Sequence, residues 1–274
     1  MTDTIPVDYV IFKLNEIFNV KDISSVLVTA ENVGEAREIH SNRDFDRVPI
    51  KKAGSIDSFY DSNSDSEIQI KPEYILSESA GIYETLSYLS KRDFYFVLIG
   101  NGITHMVHYS DLNSPLVSIG IYTQIAYCEE AIRDFARLKN NNKTENGIEN
   151  FLKDINNNIT GKEIRINSAK KHYEQKKQTQ TETDLFDELY FDDELILFRE
   201  LYHATLKDCQ LEKFKKIINL EDTTINSDKD LRNEIMHSKP EIIKQKDDTK
   251  KWLSFLQRCQ NIINTINGKV DIKC

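Results

Sequence analysis

The chain is poor in cysteine: four in 274 residues, at positions 128, 209, 259 and 274. They lie far apart and form no Cys-x-x-Cys pair, so the spacing argues against a disulfide framework and against a zinc site. Long apolar runs are also missing. No stretch approaches the roughly 18 consecutive apolar residues that a membrane span needs. The first residues, Met1 to Phe18, carry no basic start and no small-residue cleavage site, so no secretory signal is expected. A soluble cytoplasmic protein without a membrane partner is the expectation. Hydrophobic residues make up 39% and charged residues 30% of the chain, an ordinary globular balance.

Positive charge is the other scarce quantity. The net charge is −9, and residues 1–112 hold 18 acidic against 10 basic side chains, whereas 113–274 are near balance. An acidic protein is a poor non-specific binder of nucleic acid. The rear half is less hostile to a polyanion, though it carries no basic stripe.

The front half repeats itself at an offset of 49 residues. Ser41-Asn42-Arg43-Asp44-Phe45-Asp46-Arg47-Val48-Pro49-Ile50 falls on Ser90-Lys91-Arg92-Asp93-Phe94-Tyr95-Phe96-Val97-Leu98-Ile99, with six of the ten positions identical. A repeat of this period means two copies of one supersecondary unit. In the second copy, Ile82, Leu86 and Leu89 predict a helix over 80–92. An aromatic and branched strand at 94–99, a Gly100-Asn101-Gly102 turn and a strand from Ile103 to Tyr109 follow. Ser110 and Asp111 then suit a helix start. The first copy predicts a helix near 31–42, a strand at 47–51, a turn at Gly54 and a strand through Phe59.

This doubled order resembles a pair of CBS modules, a family whose pairs fold about a pseudo-two-fold axis and often hold an adenine nucleotide in a cleft. His105-Met106-Val107-His108-Tyr109-Ser110-Asp111-Leu112 is similar to the family's ligand segment. By that resemblance Asp111 holds ribose hydroxyls, Ser110 precedes it and His108 stands where a Thr is usual. His105 takes the place of the usual Gly. The first copy offers Phe59-Tyr60-Asp61-Ser62, its two polar residues reversed. Without the resemblance, Asp111 reads equally well as a helix N-cap. His105 and His108 are expected on one strand face, towards solvent or towards the cleft.

After Asn113 the pattern turns helical. Helices are predicted over 114–138, 162–180, 185–206 (bent near Phe191-Asp192-Asp193) and 249–266, with polar breaks at 140–147 and 156–161. Four or five helices in a bundle is the expected architecture. Within it, Ser227 is expected to cap a helix that Pro240 stops near His237 or Ser238. Arg232 and His237, five residues apart, would stand about 140° apart on a regular helix. Convergence then requires His237 to turn freely at the helix end, or the same pair to arrive from a second chain.

Arg232-Asn233-(x)3-His237 near a helix end resembles the signature of the HEPN superfamily. Many of its members are metal-independent ribonucleases that act as dimers; others are inactive scaffolds. The resemblance implies Arg232, Asn233 and His237 as catalytic residues, RNA as substrate, a homodimer and no required cofactor or metal. It leaves open a non-catalytic protein with the bundle as dimerisation scaffold. RNA carries its own nucleophile, the 2′-OH. Histidine can move protons near neutral pH, and arginine offers a fixed fork of donors to a phosphate gathering charge. Glu129 and Glu130 could tune His237 or form an exposed face.

The expectation is therefore an α+β chain. Residues 1–112 form a CBS-like pair with a regulatory adenine nucleotide at His108, Ser110 and Asp111. Residues 113–274 form an all-α HEPN-like bundle. A defence or stress role rests on analogy alone.

Overall fold

The computed structural model describes residues 18–179, 183–237, 239 and 241–269. The chain divides into two compact units, Met1–Gly120 with Pro240–Leu253, and Ile121–Lys239 with Ser254–Cys274.

The first unit carries both copies of the repeat. In the first copy, helix α2 (Val33–Arg43) leads to β2 (Arg47–Lys52) and β3 (Ser55–Asp61). In the second, α3 (Ile82–Leu89) leads to β6 (Phe94–Ile99) and β7 (Gly102–His108). A short helix α1 (Val20–Ile23) and strand β1 (Ser25–Val26) come before them. Each hairpin turn relies on left-handed backbone. Ala53 and Gly54 have φ of 48° and 88°, and Gly100 has 57°, which fits the mirror-image turns that match strand twist.

Two sheets result, one ordered β1-β7-β6-β5 and one ordered β2-β3-β4. Strands β4 (Ser66–Gln69) and β5 (Ile75–Ser77) join the copies. β5 runs parallel to β6, with Ile75 opposite Phe96, and β6 runs antiparallel to β7, with Phe94 opposite His108. The first copy has a matching parallel contact, Ala30 to Ile50. Strand β4 was not expected, because its Ser-Glu-Ile-Gln sequence has too few apolar residues to read as a strand. It forms because Phe59 pairs with Ile68 and Tyr60 with Glu67.

Phe94, Tyr95, Phe96 and Val97 are all buried, so β6 is covered on both faces. That explains its unbroken apolar sequence. Phe59, Phe94 and Phe96 form one core cluster with ring centroids 5.4–5.7 Å apart. Ala36, Val48, Ile50 and Tyr60 belong to another. The late segment is held by Asn113, whose Oδ1 accepts the Ile242 and Ile243 N–H groups, each at 2.9 Å. Its side-chain amide donates to the Ile243 carbonyl. Trp252 is fully buried and donates to the Ile242 carbonyl.

The second unit is helical. It contains α5 (Glu145–Asn156), α6 (Ile166–Gln178), α7 (Phe191–His203), α8 (Asp208–Ile218) and α9 (Asp222–Met236). It also takes in the stretches of α4 (Pro115–Lys139) and α10 (Lys246–Ile266) assigned to it. That exceeds the four or five helices expected. Helix α5 begins inside the anticipated loop, where the Thr144 hydroxyl caps the Gly147 N–H at 3.1 Å. The expected helix over 185–206 is interrupted instead of bent: a 3-10 turn at Phe186–Glu188 precedes α7.

Asp192, Asp193 and Glu194 open α7 and are buried. Arg165 bonds both Asp192 and Asp193, and Lys162 Nζ lies 2.6 Å from Asp192. A helix N-terminus also favours negative charge. Ser227 is not an N-cap: α9 starts at Asp222, five residues earlier, and Asp228 lies on its buried face. There Asp228 accepts a two-point contact from Arg258, at 2.8 and 2.5 Å. Cys128 and Cys259 are buried free thiols.

Candidate functional site

In the first unit, the end of β7 passes into a 3-10 helix, Tyr109–Asn113. The cap of that helix is His108 and not Asp111, which corrects the alternative reading of the acid. His108 Nδ1 accepts the Ser110 N–H at 3.3 Å and lies 2.8 Å from the Ser110 hydroxyl. Asp111 reciprocates: its Oδ2 accepts the His108 N–H at 2.7 Å. Its Oδ1 makes no hydrogen bond among the described residues and stays available as an acceptor.

His108, Ser110 and Asp111 line one cavity of about 440 Å³. Its apolar lining includes Val26, Leu27, Pro49, Phe94 and Met106. Burial raises the Asp111 carboxyl above its ordinary value, against the His108 N–H and the His108 charge. Burial also lowers the His108 imidazole, opposed by Asp111 and Asp93. A neutral ring with its Nδ1 lone pair engaged leaves Nε2–H as a donor.

His105 does not line this cavity. It lies three positions before His108, so the strand alternation puts the two on opposite faces. His105 Nδ1 lies 2.9 Å from the Thr104 hydroxyl. The first copy's Asp61 is engaged elsewhere, accepting the Ser64 hydroxyl at 3.0 Å and lying 3.6 Å from Arg47 Nε. The one guanidinium among the cavity's described lining residues, Arg47, was not singled out from sequence. Its Cζ lies 4.8 Å from the Phe94 ring centroid. The offset-49 alignment put a Phe at its counterpart, Phe96, so the repeat itself gave no signal.

In the second unit, Arg232 and Asn233 lie in the last turns of α9. Arg232 Nε donates to Glu129 Oε1 at 2.9 Å. Its terminal nitrogens make no hydrogen bond among the described residues. His237 is the exposed C-cap residue, and its N–H still bonds the Asn233 carbonyl at 3.0 Å. The backbone at His237 therefore keeps the helical path, with its Cα about 140° round the helix and roughly 7.5 Å along it from Arg232. Pro240, expected to stop the helix, lies outside the described residues. Glu129 holds Arg232, the role that sequence reasoning had offered it towards His237.

Behind this pair sits Glu194, 1% exposed. Arg133 donates to its Oε1 at 2.9 Å, and Oε2 has no hydrogen-bond partner. Burial raises this carboxyl well above the ordinary value, Glu129 raises it further, and Arg133 and Arg232 oppose them.

No family model matches the chain, and no curated protein matches it. Among solved structures it is similar to the CBS domain of a bacterial CNNM/CorC family Mg2+ transporter in complex with ATP. That likeness is 17% identical, with a TM-score of 0.32, over 40% of this chain and 94% of the other. Among the described residues no helix is long and apolar enough to cross a membrane, and no cluster of three His, Cys, Asp or Glu side chains could hold a metal ion.

Proposed function

We propose that the first unit is a regulatory module that binds an adenine nucleotide. The observation that carries this reading is the cavity that joins His108, Ser110 and the free Oδ1 of Asp111 to an apolar lining. A nucleoside needs this combination: apolar walls for the base and a carboxylate oxygen to accept ribose hydroxyls. The test is calorimetric titration of the full chain with adenosine and its phosphates. Binding to wild type that is lost in Asp111→Ala supports the assignment. Unchanged affinity in that variant removes it.

A second reading, favoured by the geometry of Arg232, gives the helical unit an activity: metal-independent endoribonuclease, acting as a homodimer. Glu129 fixes Nε, so the guanidinium is oriented while its terminal nitrogens stay available to a phosphate. The 2′-OH would attack the adjacent phosphorus, giving its proton to a base, as the P–O5′ bond breaks and the 5′-oxygen is protonated. The products are a 2′,3′-cyclic phosphate and a 5′-hydroxyl. His237 serves in proton transfer, Arg232 stabilises the charged phosphorane, and Asn233 orients the phosphate. Because Arg232 and His237 diverge on α9, a second chain supplies the complementary group. Nucleotide in the first unit would then regulate cleavage.

Incubation of wild type and His237→Ala with RNA in EDTA separates the readings. Cleavage by wild type alone, leaving cyclic phosphate ends, supports the enzyme. Equal inactivity, with nucleotide bound, supports a non-catalytic protein that uses the bundle as a scaffold.

A further inference from the structure

We infer that the cavity selects a nucleoside with at most one phosphate and rejects its di- and triphosphate; this rests on the nucleotide reading of the same site. The argument is one of charge. The cavity is lined by three carboxylates, Asp44, Asp46 and Asp111, and one guanidinium, Arg47. No lysine lines it. Arg47 can serve one phosphate, because its terminal nitrogens make no hydrogen bond among the described residues. Its Nε side faces Asp61 at 3.6 Å, so part of its charge is already compensated.

Asp44 and Asp46 occupy the rim and are exposed. Asp44 stands in left-handed backbone at φ 57°, and Asp46 accepts the Ser62 hydroxyl at 3.2 Å. A monophosphate brings about two negative charges and each further phosphate roughly one more. The first phosphate meets Arg47. The second and third meet carboxylates, with no further Lys or Arg among the described lining residues to offset them. Solvent screening at the rim limits each repulsion, so each carboxylate should change affinity by about three- to tenfold.

The sequence shows where this selectivity arises. Asp44 lies in the identical part of the repeat and aligns with Asp93, whereas Asp46 and Arg47 fall on Tyr95 and Phe96. One acid of this cavity and the Arg47 guanidinium are therefore peculiar to the first copy.

The experiment is calorimetric titration of the full chain with adenosine, AMP, ADP and ATP, in EDTA at low and at physiological salt. Wild type should bind AMP at least about tenfold more tightly than ATP, with a gap that widens at low salt. The double variant Asp44→Asn, Asp46→Asn should narrow that gap by about tenfold or more. Asparagine keeps the left-handed preference and an acceptor for Ser62, so the fold is retained. Equal or tighter ATP binding by wild type, or an unchanged gap in the double variant, overturns the inference while the nucleotide reading stands. Failure of all four ligands to bind removes both.

Discussion

Replacing Glu194 by glutamine should stabilise the helical unit at alkaline pH and not at acid pH. The carboxyl is fully buried, and burial followed by Glu129 holds its folded value well above the ordinary one. The sign follows from linkage. A carboxyl raised on folding stays protonated in the native state after the unfolded chain has released its proton. Stability then falls as pH rises from the unfolded value to the folded one, and is flat beyond it. Each unit of that interval costs about 1.4 kcal/mol. Glutamine cannot ionise, keeps an oxygen for the Arg133 guanidinium 2.9 Å away, and fills the same volume. Its amide hydrogens would face the unpartnered Oε2 position, a fixed cost of about 1–3 kcal/mol that does not vary with pH.

Urea unfolding of wild type and Glu194→Gln from pH 4 to 9 measures the difference. Other groups titrate as well, with Asp193 and Asp228 raised by burial, Asp187 lowered by the Asp184 N–H and then Arg137, and Asp192 lowered by Lys162 and Arg165. They are common to both proteins, so the difference curve isolates Glu194. It should rise in favour of the variant from about pH 4.5 upward, by at least about 1.4 kcal/mol. A flat difference curve would refute the argument, because it would mean that Glu194 reaches water or shares its charge with Arg133 without cost.

Arg258→Leu leaves the Asp228 carboxylate buried without its partner and should lower unfolding stability by about 3–5 kcal/mol, more at pH 8 than at pH 5, in denaturant titrations. Phe96→Ala opens the aromatic core of the first unit and should cost about 3–5 kcal/mol, read as a loss in melting temperature. Asp111→Ala should weaken adenosine binding by about 10- to 100-fold, the worth of hydrogen bonds to a charged acceptor, in calorimetry. Glu129→Gln loosens the charged contact to Arg232 and should slow any RNA cleavage by about tenfold without unfolding the chain, checked by gel assay beside circular dichroism.

Local order was legible where a repeat or a strong period wrote it. Helices near 31–42 and 80–92, the hairpins at Gly54 and Gly100, and the long helix after Asn113 all appear within a few residues of expectation. Strand β4 was not legible, because its partner strand and not its composition makes it a strand. The start of α9 was misplaced because Asn226-Ser227-Asp228 has cap chemistry that a buried contact with Arg258 overrides. Of the residues lining the cavity, His108, Ser110 and Asp111 were singled out through a motif, while Arg47 was hidden because its selection depends on what surrounds it in space. The bond from Glu129 to Arg232 spans 103 residues, a distance at which no local pattern exists.

The stretch carrying Ile242, Ile243 and Trp252 belongs to the first compact unit, though it is made after nearly all of the second. A ribosome must therefore pass through most of the helical unit's sequence before the front unit receives the segment that Asn113 holds. Until then Asn113 lacks both of its amide donors. Expressing the opening 120 residues alone should yield a sticky, incompletely packed product, and co-supplying the missing piece as a peptide should rescue it.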